Sequence, residues 1–491
     1  MNRSKIIEKI KSAEIADVFV IGGGASGLGV ALDAVSRSLK VVLAEKHDFG
    51  KGTTSKATKL LHGGVRYLAQ GDIGLVMEAL KERRIILSNA PHLSNIQEFI
   101  IPFYNIWQGY FYLIGLKLYD ILSFKSSLGS SRLLKKDTVL KKLPNVKSEG
   151  LKGGISYYDG QFDDTRLCID LVSTINAKGG SCINYTSFEG FNKNDKGVFE
   201  IQLTDHINGE NYTILSRSIV NAAGVHADEI VKKCGLEAHF SILPAKGSHL
   251  VVSKQMLSSD AAVMIPKTSD GRVLFVVPWH GVNIIGTTDI AVQNKEYDPD
   301  VSDEEVEFML SNCRNYFNDP PEKENILSKY SGLRPLVTEH KGKDKSKDVS
   351  RKHKIVKSAA GFYNLLGGKW TTFRKMGYDA VDFLIKDMGW PSRSSFSHTF
   401  KISGPSPESS EDFIHPDLPY NKNFFIHSIK NELVESIEDL LARRTRCLFI
   451  NKKATLNILD EMIDVMAEIK SKDQTWKLNQ KHLFLHLANK Y

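Results

Sequence analysis

The stretch ADVFVIGGGASGLGVALDAV, residues 16–35, decides the fold. Val18 to Ile21 form an apolar run of strand length, Gly22, Gly24 and Gly27 follow as G-x-G-x-x-G, and apolar residues from Leu28 to Val35 recur at helical spacing. Strand, tight turn and helix in that order make a dinucleotide corner. The glycines admit a pyrophosphate to the backbone beside Ser26, where free helix N–H groups point outward. A second strand, read from Lys40 to Ala44, ends at Glu45 and Lys46. That carboxylate follows the motif by about 20 residues, the place from which an acid reaches the adenosine ribose hydroxyls.

Around this corner the whole chain sets limits. Its 491 residues exceed what one hydrophobic core supports, so two or three packed regions are expected. With 42% hydrophobic and 25% charged residues, a disordered chain is excluded. Lys and Arg total 65 against 57 Asp and Glu, a net +8 that suits anionic small molecules or an anionic membrane surface. No concentrated basic face is evident, so nucleic acid is not an expected partner. The five cysteines are scattered without a C-x-x-C pair, which favours a reducing cytoplasm over a zinc or dithiol site, and no signal-peptide core opens the chain.

Later motifs choose the cofactor. Ser218 to Asp228 reads as a buried strand entering a small-residue turn at Ala223-Gly224, the way many flavoproteins return to the first sheet. Phe362 to Arg374 is again strand, glycine turn and helix start, so Gly368, Lys369 and Thr371 present free N–H groups to a flavin. No second G-x-G-x-x-G occurs, which favours FAD over a separate NAD(P)H site.

Six motifs in order, GGGASG (22–27), TSKATKLLHGGVRYL (54–68), KGSHLVV (246–252), IIGTTD (284–289), YSGLRPL (330–336) and GGKWTTFR (367–374), resemble the flavin-dependent glycerol-3-phosphate dehydrogenase family. The resemblance runs from about residue 15 to 385 and continues through ARRTR at 442–446. It implies oxidation of sn-glycerol 3-phosphate to dihydroxyacetone phosphate, with hydride passing to FAD and electrons to a quinone. It also implies that the loop with Thr54, Ser55, Lys59 and Leu60 wraps the FAD, and that Arg66 with Tyr67 meets the substrate phosphate. Lys56 and Ala57 stand where the family more often has small or hydroxyl residues. The nearest rival is an oxidase that passes electrons to oxygen; a flavin-fold protein with structural FAD and a macromolecular partner is a third reading.

The chemistry asks for a base for the hydroxyl proton and fixed cations for a dianionic substrate. His62 and His249 are candidate bases, each with a structural alternative, and Arg334 acts as a base through water or binds substrate. Thr287, Arg351 and Lys369 are further substrate candidates, and His62 is equally a flavin neighbour. Lys246 and His353 add cationic character nearby.

The expected architecture is a Rossmann-type FAD-binding domain, an antiparallel-sheet substrate cap and a small C-terminal helical domain. The FAD-binding domain takes 1–80, 151–235 and 346–395; the cap takes 81–150 and 236–345; helices fill 396–491. The uncharged aromatic run FIIPFYNIWQGYFYLIGL, 99–116, reads either as a core helix or as a segment lying on an anionic membrane. The second option implies a cytoplasmic protein, peripheral on the inner face of the cell membrane, with a homodimer left open. The basic run 339–357 reads as a surface loop, SGPSPESSEDFIHPDLP (403–419) as a linker, and two amphipathic helices follow, one spanning Ile426 to Leu441 and one Leu456 to Ile469.

Overall fold

Val18–Ile21 is a strand, buried at every position, inside a six-stranded sheet. The computed structural model describes residues 1–12, 14–64, 72–338, 352–405 and 412–491. The sheet order is Lys354–Ala359, Phe362–Leu366, Ile219–Asn221, Val18–Ile21, Val41–Ala44 and Ser181–Ile183. All neighbours run parallel except Lys354–Ala359, which is antiparallel to its neighbour. Val18–Ile21 and Val41–Ala44 are apolar and buried throughout, which reflects cover on both faces, as parallel sheets require. Helix Ala25–Ser36 covers one face and crosses helix Phe373–Asp387 at glycines. A Cβ on Gly29 would stand 2.3 Å from the Phe373 carbonyl oxygen, and one on Gly377 2.0 Å from that of Gly29.

The cap is a ten-stranded sheet. Its path runs Ile290–Ala291, Ser241–Ser253, Val282–Gly286, Leu274–Trp279, Ala262–Ile265, Ser94–Phe103, Gly153–Phe162 and Leu60–Leu61, with Ile326–Thr338 and Arg132–Lys135 pairing alongside. One pairing departs from the expected antiparallel pattern: Ala262–Ile265 lies parallel to Ser94–Phe103. Leu60–Leu61 belongs to this sheet, so the segment leaving the nucleotide corner becomes an edge strand of the cap.

Two helical readings need correction. The uncharged run 99–116 is split: Phe99–Phe103 ends a strand, and helix Ile106–Ser123 begins only after Asn105, whose side chain accepts the Trp107 N–H at 2.9 Å. Hydrophobicity was continuous there, but the cap residue set the boundary. Likewise the helix expected from Ile426 to Leu441 stops at Asn431; Leu433 takes a left-handed φ of 53°, and Asp439–Arg444 forms a π-helical turn. The break is fixed by an ion pair and a hydrogen bond, since the Glu432 carboxylate binds Arg166 while its carbonyl accepts from Arg444. Helices Lys452–Asn457, Leu459–Lys470 and Gln474–Ala488 complete this domain. Arg443 and Arg444 both reach the fully buried Asp48, and Arg446 reaches Asp163, so the C-terminal domain is bolted to the loop after Glu45.

Candidate active site

The corner after Val18–Ile21 is built for close approach. Gly22 has φ 105°, a conformation open to glycine, and a Cβ on Gly27 would stand 1.9 Å from the Gly22 carbonyl oxygen. Gly24 caps helix Ala25–Ser36 without a side chain of its own; instead Thr54 Oγ1 accepts the Ala25 N–H at 3.0 Å, leaving Ser26 and Gly27 in the first turn. Glu45 accepts from the Gly23 N–H at 2.7 Å and the His47 N–H at 2.9 Å, and burial pushes its carboxyl up. Lys46 beside it is exposed. The return turn at Ala223 and Gly224 passes over this corner, with the Ala222 carbonyl oxygen 2.8 Å from a Cβ placed on Gly22.

The loop from Gly50 to Lys59 joins the corner to the cap. Trp370 Nε1 donates to the Thr54 carbonyl at 2.9 Å, tying this loop to the Gly367–Thr372 turn. Ser55 and Thr371 are buried in that junction, and Leu60 under the cap sheet. Gly367 and Gly368 both have positive φ, and a Cβ on Gly367 would meet Val337 Cγ2 at 3.3 Å. The turn carrying Lys369 therefore packs beside the strand that carries Arg334.

On the cap side, His249 Nε2 lies 2.9 Å from Thr58 Oγ1, and its ring stacks on Tyr330 with centroids 4.7 Å apart. Nδ1 of this ring is buried and has no hydrogen-bond partner. Burial first, then the Arg334 and Lys59 charges, drive the His249 pKa well below its ordinary value, so the ring is neutral. Arg334 Nη2 donates to Thr287 Oγ1 at 3.0 Å, and Nη1 donates to the Thr288 carbonyl and Asp289 Oδ1, both at 3.2 Å. Gly247 makes room for that guanidinium, since a Cβ there would stand 2.4 Å from Nη2. Glu305 accepts from Ser248 Oγ and Thr288 Oγ1, both at 2.7 Å, which holds the 287–289 turn in place.

Several sequence expectations change here. Lys59 does not extend its ammonium toward a cofactor. The side chain is fully buried, bonds Asp164 Oδ1 and Oδ2 at 2.7 and 2.9 Å, and sits among Trp279, Tyr330 and Phe449 at 5.1–5.3 Å from their ring centroids. An unpaired Asp164 at that depth would cost more than any exposed contact returns, so the pair locks. Lys56 is likewise internal, bonded to Asp298 Oδ1 at 2.7 Å, and Lys246 pairs with Glu305 at 2.7 Å. His353 is held by Asp379 at 3.0 Å. His62 is half-buried just beyond the edge strand Leu60–Leu61. Arg66, Tyr67 and Arg351 lie outside the described residues.

The structure thus brings Thr58, His249, Thr287 and Arg334 together, with the Lys369 turn adjoining. Sequence reasoning missed the Asp164 lock and the residues behind His62, Tyr119 and Asp159, because neither carries a local motif. Among the described residues no group of His, Cys, Asp and Glu could hold a metal ion.

Residues 17–370 match the family described as FAD dependent oxidoreductase, and residues 397–477 match the C-terminal domain of alpha-glycerophosphate oxidase. The chain is 33% identical over 523 residues to a probable mitochondrial glycerol-3-phosphate dehydrogenase of Caenorhabditis elegans, covering 95% of this chain and 72% of that one. Its fold is similar to that of the glycerol-3-phosphate dehydrogenase from Bacillus halodurans complexed with FAD, at 25% identity and TM-score 0.79, over 99% of this chain and 97% of the other. L-alpha-glycerophosphate oxidase from Mycoplasma pneumoniae shares the fold at TM-score 0.62 and 17% identity, over 80% and 100% of the two chains.

Proposed function

We infer the reaction from the premise that this chain belongs to the glycerol-3-phosphate dehydrogenase family of FAD-dependent oxidoreductases: it oxidises sn-glycerol 3-phosphate to dihydroxyacetone phosphate and passes the electrons to a quinone. The supporting observation is the pairing of a buried, neutral His249 with the Arg334 fork, beside the turn that follows Phe362–Leu366. Bound FAD supplies the hydride acceptor, its N5, for the hydrogen on substrate C2.

The residues supply the rest. Arg334, joined by Lys369, holds the phosphate, where a planar fork matches two oxygens. Neutral His249, held at Nε2 by Thr58, is the base that takes the C2 hydroxyl proton as the C–H bond breaks, which balances the two-electron oxidation. Arg334, one of the two cations that depress His249, is the group a dianionic phosphate neutralises, so substrate binding raises the basicity of the ring. Gly22, Gly24, Ser26, Gly27 and the Thr54–Ser55 turn hold the pyrophosphate end, Glu45 the ribose, and Ala223, Gly224, Gly368 and Thr371 the remainder. His62 borders the flavin.

A second reading concerns where the enzyme works. Helix Ile106–Ser123 exposes Trp107 (79%), Phe111 (71%), Ile114 (70%) and Ile121 (70%) on one face. No helix among the described residues is long and apolar enough to cross a membrane. We read this face as lying on the bilayer surface, where aromatic rings prefer the headgroup boundary, while Lys117 is tied to Ser131 and Asp120. A surface-seated enzyme reaches a membrane quinone.

Anaerobic addition of sn-glycerol 3-phosphate to the FAD-loaded protein should bleach the flavin band, and glycerol should not. An unbleached band refutes the activity. Adding oxygen or a quinone analogue afterwards separates the oxidase alternative, which the C-terminal match keeps in view, by whether peroxide appears.

A further inference from the structure

Behind the His62–Gly64 loop runs a buried polar chain that the reaction above does not use. The Gly63 N–H donates to Tyr119 Oη at 2.9 Å, the Tyr119 O–H donates to Asp159 Oδ2 at 2.8 Å, and Arg83 Nη1 donates to Asp159 Oδ1 at 2.7 Å. Tyr119 is 2% exposed, and burial followed by the Asp159 charge drives its pKa far up, so the phenol keeps its proton. Because that single proton goes to Asp159, the Tyr119 oxygen is free to accept from Gly63, and the chain has one direction.

The fit is tight. A Cβ on Gly63 would stand 2.5 Å from the Tyr119 oxygen and 2.8 Å from Leu80, so the loop backbone rests directly on this hydroxyl. Arg83 is anchored again on the Ser126 carbonyl at 2.8 Å. Its neighbour Glu82 binds Arg374, just after the Lys369–Thr372 turn, so helix Ile73–Asn89 braces both the loop and that turn.

We propose that Tyr119 is a positioning residue: its hydroxyl fixes the Gly63 backbone and thereby sets His62 against the flavin. This rests on the reading of residues 62–64 as the flavin-facing loop. Tyr119→Phe removes one oxygen and leaves the ring. In the FAD-loaded variant, the first-order rate of flavin reduction by saturating sn-glycerol 3-phosphate should fall about threefold to tenfold, the effect of one lost hydrogen bond. The KM should move less than twofold, flavin content should match wild type, and the visible flavin band should shift, because the loop facing it has moved. A purely structural tyrosine would lower the melting temperature and leave rate per bound flavin and band shape unchanged, and that result overturns the proposal. If Tyr119→Phe does not fold, Asp159→Glu, which keeps the charge for Arg83 and an acceptor for the Tyr119 hydroxyl while displacing it, should show a smaller loss of the same kind, and a wild-type rate per bound flavin overturns it. Wild-type flavin that glycerol 3-phosphate fails to bleach sinks the proposed activity instead. The substrate-free flavin band of Tyr119→Phe then still decides: a shift supports the positioning role and an unchanged band overturns it.

Discussion

Replacing Lys59 by Met should destabilise the protein by about 3–5 kcal/mol, the cost of leaving a buried charge without its partner. The structure sets that magnitude. Both side chains of the Lys59–Asp164 pair are 0% exposed, and the ammonium bonds both carboxylate oxygens. Asp164 cannot turn to water, because it also accepts the Ala57 N–H at 3.1 Å and the Thr165 N–H at 2.7 Å. At roughly 2–4 °C per kcal/mol, the melting temperature should drop by about 6–20 °C. Thermal release of flavin fluorescence is the assay, since the pair closes the loop that contains Thr54 and Ser55. Two controls separate charge from packing. Lys59→Met with Asp164→Asn should recover at least half the loss, because the amide still accepts from Ala57 and Thr165. Burial already pushes the Asp164 carboxyl up with Lys59 present, so removing the cation raises it further. A group protonated more readily in the folded state costs stability as pH rises, and the deficit of Lys59→Met should therefore shrink on going from pH 8 to pH 5. A single variant that melts within about 2 °C of wild type at pH 8 would refute the reasoning.

Arg334→Ala should lower kcat/KM for glycerol 3-phosphate by roughly 100-fold or more, about 3 kcal/mol for a lost charged contact, while FAD stays bound; steady-state kinetics beside flavin content checks it. His47, lowered to about 4 chiefly by burial, and His249, also held well below its ordinary value chiefly by burial, hold fewer protons folded than unfolded. Stability should fall as pH drops below about 6.5, by up to about 1.4 kcal/mol per pH unit for each ring. Denaturant melts from pH 7 to 5 should show that slope, and His47→Gln should flatten it. Phe111→Glu with Ile114→Glu should abolish co-sedimentation with anionic vesicles while leaving anaerobic flavin bleaching intact.

Much of the candidate site was legible because its elements are local. Gly22, Gly24 and Gly27 spell a turn whose geometry needs no distant partner, and Glu45 follows at the distance a strand-helix-strand unit fixes. The same holds for the Gly367-Gly368 turn before helix Phe373–Asp387. Ile426 to Leu441 failed for the opposite reason: the apolar period is helical, yet an ion pair from Arg166 and a hydrogen bond from Arg444 break the helix at Glu432. Those arginines arrive from far along the chain or from a turn that spacing does not announce.

KATKLLHGGVRYL (56–68) shows the division within one segment. Its sequence determines that a polar, glycine-containing segment leaves a dinucleotide corner, because the strand-turn-helix motif before it fixes where that corner lies. Which polar groups face inward is a tertiary decision. Lys56 and Lys59 turn into buried pairs with Asp298 and Asp164, Thr58 meets His249, and Gly63 rests on Tyr119, since each buried donor and charge must find its partner wherever the fold brings one within reach.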